Sequence, residues 1–198
     1  MVKNNGTTAL HLKIGCNCLR EMGLRVTRNV VGLLSLTMLL GSCDNYRLAE
    51  TCADHIAIGD RGRFVTDDKG LARDPSTDTI WYRCPGGKHF SNYICKGDGL
   101  HLNWSDATSY AVEFSKKSGT FWRLPTNDEM KSIIEPSCIA PAINQNVFPS
   151  PEIANYWTSS GSWQRKTFKC SVNSYNGSLS CRQPKFVEQP FLLVMGQR

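Results

Sequence analysis

Six cysteines placed along a short chain constrain this fold more than any other feature. The nine cysteines fall into three groups: Cys16 and Cys18 precede an apolar run, Cys43 closes it, and Cys52, Cys84, Cys95, Cys138, Cys170 and Cys181 follow. An even set of six in a small exported domain reads as three disulfides, although six cysteines allow 15 pairings. Each bridge would add about 2–4 kcal/mol by restricting the unfolded chain. The alternative, six buried free thiols, needs a reducing compartment.

Export is what the N-terminal segment indicates. Residues 30–40 (Val-Val-Gly-Leu-Leu-Ser-Leu-Thr-Met-Leu-Leu) form a short apolar core behind Arg25 and Arg28, too short to span a bilayer. The run ends in Leu40-Gly41-Ser42-Cys43, which resembles the bacterial lipobox, where small residues before a cysteine admit signal peptidase II. The chemistry requires a thiol there, because the diacylglycerol is joined through a thioether. Several acyl chains at about 0.8 kcal/mol per buried methylene would hold the protein on a membrane without a spanning helix. Met22 begins an ordinary basic n-region, so translation is expected to start there, leaving Cys16 and Cys18 outside the product. Asp44 resembles the residue that retains lipoproteins in the inner membrane of enterobacteria-like cells. The expected division is a signal segment over 1–42, a lipidated tether over 43–51 and a domain over 52–198. The expected location is the inner membrane, facing the periplasm.

Charge argues against nucleic acid as a partner. The formal net charge is +6, but residues 1–42 hold five basic side chains and one acidic. Residues 43–198 hold 18 basic and 16 acidic side chains, a net of +2, so only a local patch could attract an anion.

Local patterning predicts an α+β domain with two helices against a small, mostly antiparallel sheet. Ile56–Ile58, Arg63–Val65, Thr79–Arg83, Asn155–Ser159, Lys166–Val172, Ser178–Gln183 and Phe191–Met195 read as strands, with a turn at Asp67-Asp68-Lys69-Gly70. Ser105 can cap a helix whose Ala107, Tyr110, Ala111 and Phe114 recur at one-face spacing, ending at Gly119. Thr126 and Glu129 have the spacing of a capping box, and Met130, Ile133 and Ile134 give that second helix its buried stripe before Pro136. Cys84-Pro-Gly-Gly opens a loop returning at Cys95, which makes Cys84–Cys95 the easiest bridge. A turn at residues 174–177 would bring Cys170 opposite Cys181, leaving Cys52 for Cys138.

Seven segments then carry a family resemblance. They are Trp81-Tyr-Arg-Cys84, Trp104-Ser-Asp-Ala107, Trp122-Arg-Leu-Pro-Thr126 with Glu129, Ser137-Cys138, Pro141-Ala-Ile-Asn144, Val147-Phe-Pro149 and Tyr156-Trp-Thr-Ser-Ser160. In this order they resemble the bacterial domain family named after the C-terminal domain of the Legionella collagen-like adhesin. The resemblance runs from about residue 63 to the C-terminus. It implies a fold similar to C-type-lectin-like and sulfatase-modifying-factor domains, in an envelope setting. The adhesin that gives the family its name binds sulfated glycosaminoglycans, but no activity is common to the family. The family's usual Val-Arg-x-Val-Arg ending is replaced here by Phe191-Leu-Leu-Val-Met195, so a ligand role for those arginines does not carry over. No collagen-like repeat precedes the domain.

Enzyme chemistry lacks a constellation. The chain after Cys43 has no G-x-S-x-G, H-E-x-x-H or C-x-x-C, and His55, His89 and His101 lack ligand spacing, so neither cofactor nor metal is expected. Trp122-Arg-Leu-Pro-Thr126 is similar to a segment of formylglycine-generating enzymes, whose close cysteine pair Cys170 and Cys181 would mimic only loosely. A thiol oxidase of that type is the enzymatic alternative. A structural envelope factor without a small ligand is another. Gln183-Pro184-Lys185 puts a cation where the calcium motif of C-type lectins needs a carboxylate. What remains is a basic hairpin: Arg165, Lys166, Lys169, Arg182 and Lys185, with Trp163 and Tyr175 nearby. Such a patch can bind sulfate or carboxylate by charge-assisted hydrogen bonds while an aromatic stacks on sugar. The reading is a non-enzymatic lipoprotein with a binding module for an anionic glycan or an envelope protein. Trp81, Trp104, Trp122 and Trp157 are expected to pack in the core.

Overall fold

The computed structural model describes residues 49–162 and 165–196, so Met22, Cys43 and Trp163 lie outside the described residues. The elements run α1 (Cys52–His55), β1 (Val65–Thr66), β2 (Leu71–Asp74), β3 (Thr79–Tyr82), β4 (His89–Ser91), β5 (Ile94–Lys96), α2 (Trp104–Ser118), β6 (Trp122–Arg123), α3 (Asn127–Ser132), β7 (Asn155–Gly161), β8 (Phe168–Asn173), β9 (Leu179–Pro184) and β10 (Leu193–Met195). The strands form a five-stranded sheet in the order β1-β2-β3-β10-β6, a three-stranded sheet β7-β8-β9 and the small hairpin β4-β5. All strand pairings in these sheets are antiparallel. The class is α+β, with mostly antiparallel sheets and few helices.

The run Phe191–Val194 explains how the core is organised. Successive side chains of an extended chain point to opposite faces. Leu192 and Val194 accordingly join Trp81, Met130, Ile133, Val147, Phe148 and Val172 in one cluster. Phe191 and Leu193 join Ala107, Ala111, Trp122, Leu124 and Trp157 in the other. An unbroken apolar stretch is what a strand covered on both faces requires. Tyr156 and Trp157 on β7 divide between the clusters in the same way.

Both longer helices are fixed by their first turns. On α3 the Glu129 amide donates to Thr126 Oγ1 at 3.2 Å, and the Thr126 amide donates to Glu129 Oε2 at 2.7 Å. Arg123 closes the motif with two 2.7 Å bonds to the same carboxylate. Burial opposes the Glu129 charge, but Arg123 and the Thr126 amide outweigh it and hold the carboxyl below its ordinary range. The cap of α2 differs from the sequence expectation. Asn103, not Ser105, accepts from the Asp106 amide at 3.0 Å, so the helix starts one residue before Ser105.

Three further expectations are corrected. Ile56–Ile58 is not a strand, because the Thr51-capped turn α1 leads into bends there. The Cys84–Cys95 segment is not a plain loop but contains the β4–β5 hairpin, whose Asn92 and Tyr93 both have positive φ (51° and 64°). Two such residues make the kind of tight turn that twists with its strands, normally announced by Asn-Gly. The sheet is not single: β2 and β6 complete one sheet while β7–β9 form another. The disulfides join Cys52 to Cys138, Cys84 to Cys95 and Cys170 to Cys181.

A candidate anion-binding site at the open end of the β8–β9 hairpin

The hairpin is held at its closed end by short polar bonds. Gly177, in the left-handed region at φ 75°, donates its amide to the Asn173 carbonyl at 2.7 Å. The Ser174 hydroxyl donates to the Glu152 carbonyl at 2.6 Å, tying the turn to the body of the protein. From there Val172 pairs with Leu179 and Ser171 with Ser180; after a bulge, Lys169 pairs with Gln183 and Phe168 with Pro184. The Cys170–Cys181 disulfide spans the bulge. Cross-strand pairing therefore brings residues 165–169 and 182–186, distant in sequence, to one end.

That end gathers the five cations expected from the sequence. Arg165 and Arg182 line a cavity of about 290 Å³ with Ser162, Phe168 and Cys181. Lys169 and Lys185 turn toward Trp104, at the first residue of α2. Their amines lie 3.7 Å and 5.6 Å from the centroid of the Trp104 ring. The indole is fixed from behind by its N–H bond to the Thr158 carbonyl, 2.9 Å, and its backbone amide donates to the Lys185 carbonyl at 3.0 Å. Lys166 is exposed in the turn that enters β8. Burial, and after it the charge of Lys185, push the Lys169 amine below the ordinary lysine range.

None of these five cations forms an ion pair with a described residue. The sequence explains why: between Glu152 and Glu188 there is no carboxylate. The other ion pairs lie elsewhere, as in Arg63–Asp74 and Arg73–Asp78. Crowded like charges without counterions raise the energy of the free protein, and an arriving anion relieves it.

The profile of the Lcl C-terminal domain family matches residues 70–194, well over half of the chain. The chain belongs to this family. No curated protein and no solved structure matches it.

Within this Lcl C-terminal domain, the seven family segments mostly build the frame. Trp81 is fully buried, as is Trp157, whose indole N–H donates to the Leu102 carbonyl at 2.8 Å. Arg83 is buried too, donating to the carbonyls of Val147 (2.7 Å) and Asn146 (3.1 Å), with its guanidinium over Phe90. The basic hairpin lies after the last of these segments but within the matched residues 70–194.

Of the two aromatic residues expected in the patch, Tyr175 is not in it. Trp163 lies outside the described residues. Tyr175 sits in the closed-end turn, six residues from Lys169, or about 20 Å of extended chain away, so it cannot stack on a ligand held there. Trp104 is the reverse case. It was expected in the core and does pack against the second core cluster, but it is only half-buried and has two amines over its ring. Its place at the start of a helix, next to the capping Asn103, was the available signal, since first-turn residues sit at the rim of a layer. The histidines do not converge: His55 faces Glu50 at 3.3 Å and His101 faces Glu152 at 2.7 Å. Among the described residues no group of three or more His, Cys, Asp or Glu is placed to hold a metal ion.

Proposed function

We propose that this Lcl C-terminal domain is a non-enzymatic, adhesin-like binding module. It is carried on an envelope lipoprotein anchored through Cys43 and grips the sulfate or carboxylate groups of an anionic glycan with its β8–β9 cations. The observation that carries this reading is the cluster of Arg165, Lys166, Lys169, Arg182 and Lys185, none in an ion pair with a described residue, in a segment without a carboxylate. Guanidinium and ammonium groups offer charge-assisted bonds to such oxygens, and the Trp104 ring offers a flat apolar surface beside them. The adhesin that gives the family its name, which binds sulfated glycosaminoglycans, supports the ligand class. The antiparallel sheets, the flanking helices and the three disulfides are compatible with a C-type-lectin-like fold, which the family implies. The disulfides also favour an oxidising compartment, and with the Leu40–Cys43 lipobox and Asp44 they suit an inner-membrane lipoprotein facing the periplasm. A net charge of +2 over residues 43–198 favours a local anion over nucleic acid.

The test is to replace Arg165, Lys166 and Lys169 together by alanine and measure retention on immobilised heparin across a salt gradient. At about 0.5–1 kcal/mol per exposed charge pair, affinity should fall roughly 10- to 150-fold, and the salt-sensitive part of retention should disappear. Unchanged retention would remove the patch from consideration. The thiol-oxidase alternative is separated by counting free thiols in the purified protein, since complete oxidation without turnover contradicts it. The Cys170–Cys181 bond, with Cys170 buried, favours a structural role for that pair. A protein partner would show itself as a stoichiometric complex that survives the heparin-blind substitutions.

A further inference from the structure

The same end of the hairpin carries a feature that a polysaccharide does not need. Phe186, in the turn just beyond β9, is 81% exposed, second among the large hydrophobic side chains of the described residues. Beside it Thr167, Phe168, Pro184 and Lys185 line an open, almost wholly apolar cleft of about 430 Å³. Phe168 is shared between this cleft and the Arg165–Arg182 cavity, so an apolar patch and a cationic one abut through one ring. Leaving a phenyl ring in water forfeits the free energy that burying it would return. Exposed aromatics rimmed by cations mark a surface that meets something both apolar and negatively charged.

We propose that this end of the hairpin docks onto the surface of a bilayer containing anionic phospholipids. Phe186 enters the boundary between headgroups and acyl chains. Arg165, Lys166 and Lys185 lie at the level of the phosphates, and Lys169 and Arg182 stand behind them. The complementarity is one of charge and polarity together. Cations without an ion-pair partner among the described residues are drawn to an anionic leaflet, and a ring at the tip gains by leaving water once the surface is reached. The long stems of Lys166 and Lys185 can lie along apolar surface while their amines reach the phosphates. A lipid on Cys43 would be separated from Ala49 by only five residues, which would keep the domain within reach of the bilayer. Docking would then fix the orientation of a domain that is already tethered. The proposal is independent of glycan binding, because it requires Phe186 and a lipid surface.

The full chain, reconstituted in vesicles, provides the test through amide hydrogen exchange of residues 165–169 and 185–187. In vesicles of phosphatidylcholine with one third phosphatidylglycerol, these amides should exchange roughly tenfold more slowly than in phosphatidylcholine alone. Amides of the exposed end of α2, residues 113–118, should not change. The Phe186→Ser variant removes an exposed side chain and so should fold; it should lose the protection while its retention on heparin stays the same. Equal exchange in the two kinds of vesicle overturns the proposal, and so does protection that persists in Phe186→Ser. Protection by soluble heparin without protection by anionic vesicles would leave the glycan reading standing and end this one.

Discussion

Removing the disulfides one at a time gives a quantitative check on how this domain is stabilised. Cys52–Cys138 closes a loop with a sequence separation of 86, whereas Cys84–Cys95 and Cys170–Cys181 each close one of 11. In the chain-entropy account a bridge restricts the unfolded ensemble by an amount that grows with the logarithm of loop length. This gives about 4.6 kcal/mol for the long loop and about 2.8 kcal/mol for each short one at 25 °C. Burial does not reverse that order, since Cys52 and Cys138 are both buried, while Cys84 and Cys170 are buried but their partners are partly exposed. Replacing each pair by alanine keeps most of the packing and removes the constraint. For a chain of this size the expected drop in Tm is about 9–18 °C for Cys52→Ala/Cys138→Ala and about 5–11 °C for either of the others. Calorimetric scans of the three double variants, with the remaining bridges verified as oxidised, measure this. Equal drops, or a larger drop for a short loop, would show that native-state packing governs the contribution of these bridges.

Two further outcomes follow from the core and from the α3 cap. Glu129 is held below its ordinary value of 4.5, so its stabilisation is present above that value and is lost as pH falls through its lower folded-state value. Asp74 behaves likewise: burial opposes its charge, but Ser76 and Arg63 outweigh it. Glu129→Gln should therefore cost about 1.5–3 kcal/mol at pH 7. Its Tm should also decline less steeply than the wild type's on acidification below pH 4.5; parallel profiles would deny the Arg123–Glu129 pair that role. Gly86 packs flat against the ring of Phe191, so a methyl group in Gly86→Ala would overlap it. Urea unfolding should show a loss of about 1–3 kcal/mol, and an unchanged midpoint would mean that the β10 segment yields easily there.

What could be read from the sequence depended mostly on near neighbours, the exception being Cys52–Cys138, which remained once the two local bridges were assigned. The Thr126–Glu129 box, the Ala107–Ala111 stripe and the Cys84–Cys95 bridge each express contacts within about a dozen residues, where spacing decides geometry. The hairpin turn at 174–177 was equally local, and it brings the five strand-borne or flanking cations to one end. What escaped depended on distant pairings. That β10 lies between β3 and β6 could not be seen from Leu193–Met195 itself, because a doubly covered strand carries no alternation to orient it. The β4–β5 hairpin was hidden because Asn92-Tyr93 replaces the glycine that usually signals positive φ. Trp104 became part of the site only through the Thr158 and Lys185 carbonyls, from segments 54 and 81 positions further along the chain. Tyr175 was misplaced for the opposite reason, as nearness in sequence along a strand still means many ångströms of separation.

The claim that anions bind at the open end of β8–β9 is met most directly by lysine footprinting. Full-length protein is acetylated briefly with and without heparin oligosaccharides, and modification is read by mass spectrometry at each lysine. Lys166, Lys169 and Lys185 should be protected, while Lys69, Lys88, Lys116, Lys117 and Lys131, which lie on other elements, should react at the same rate in both samples. Even protection of all lysines, or protection confined to the second group, would contradict the account.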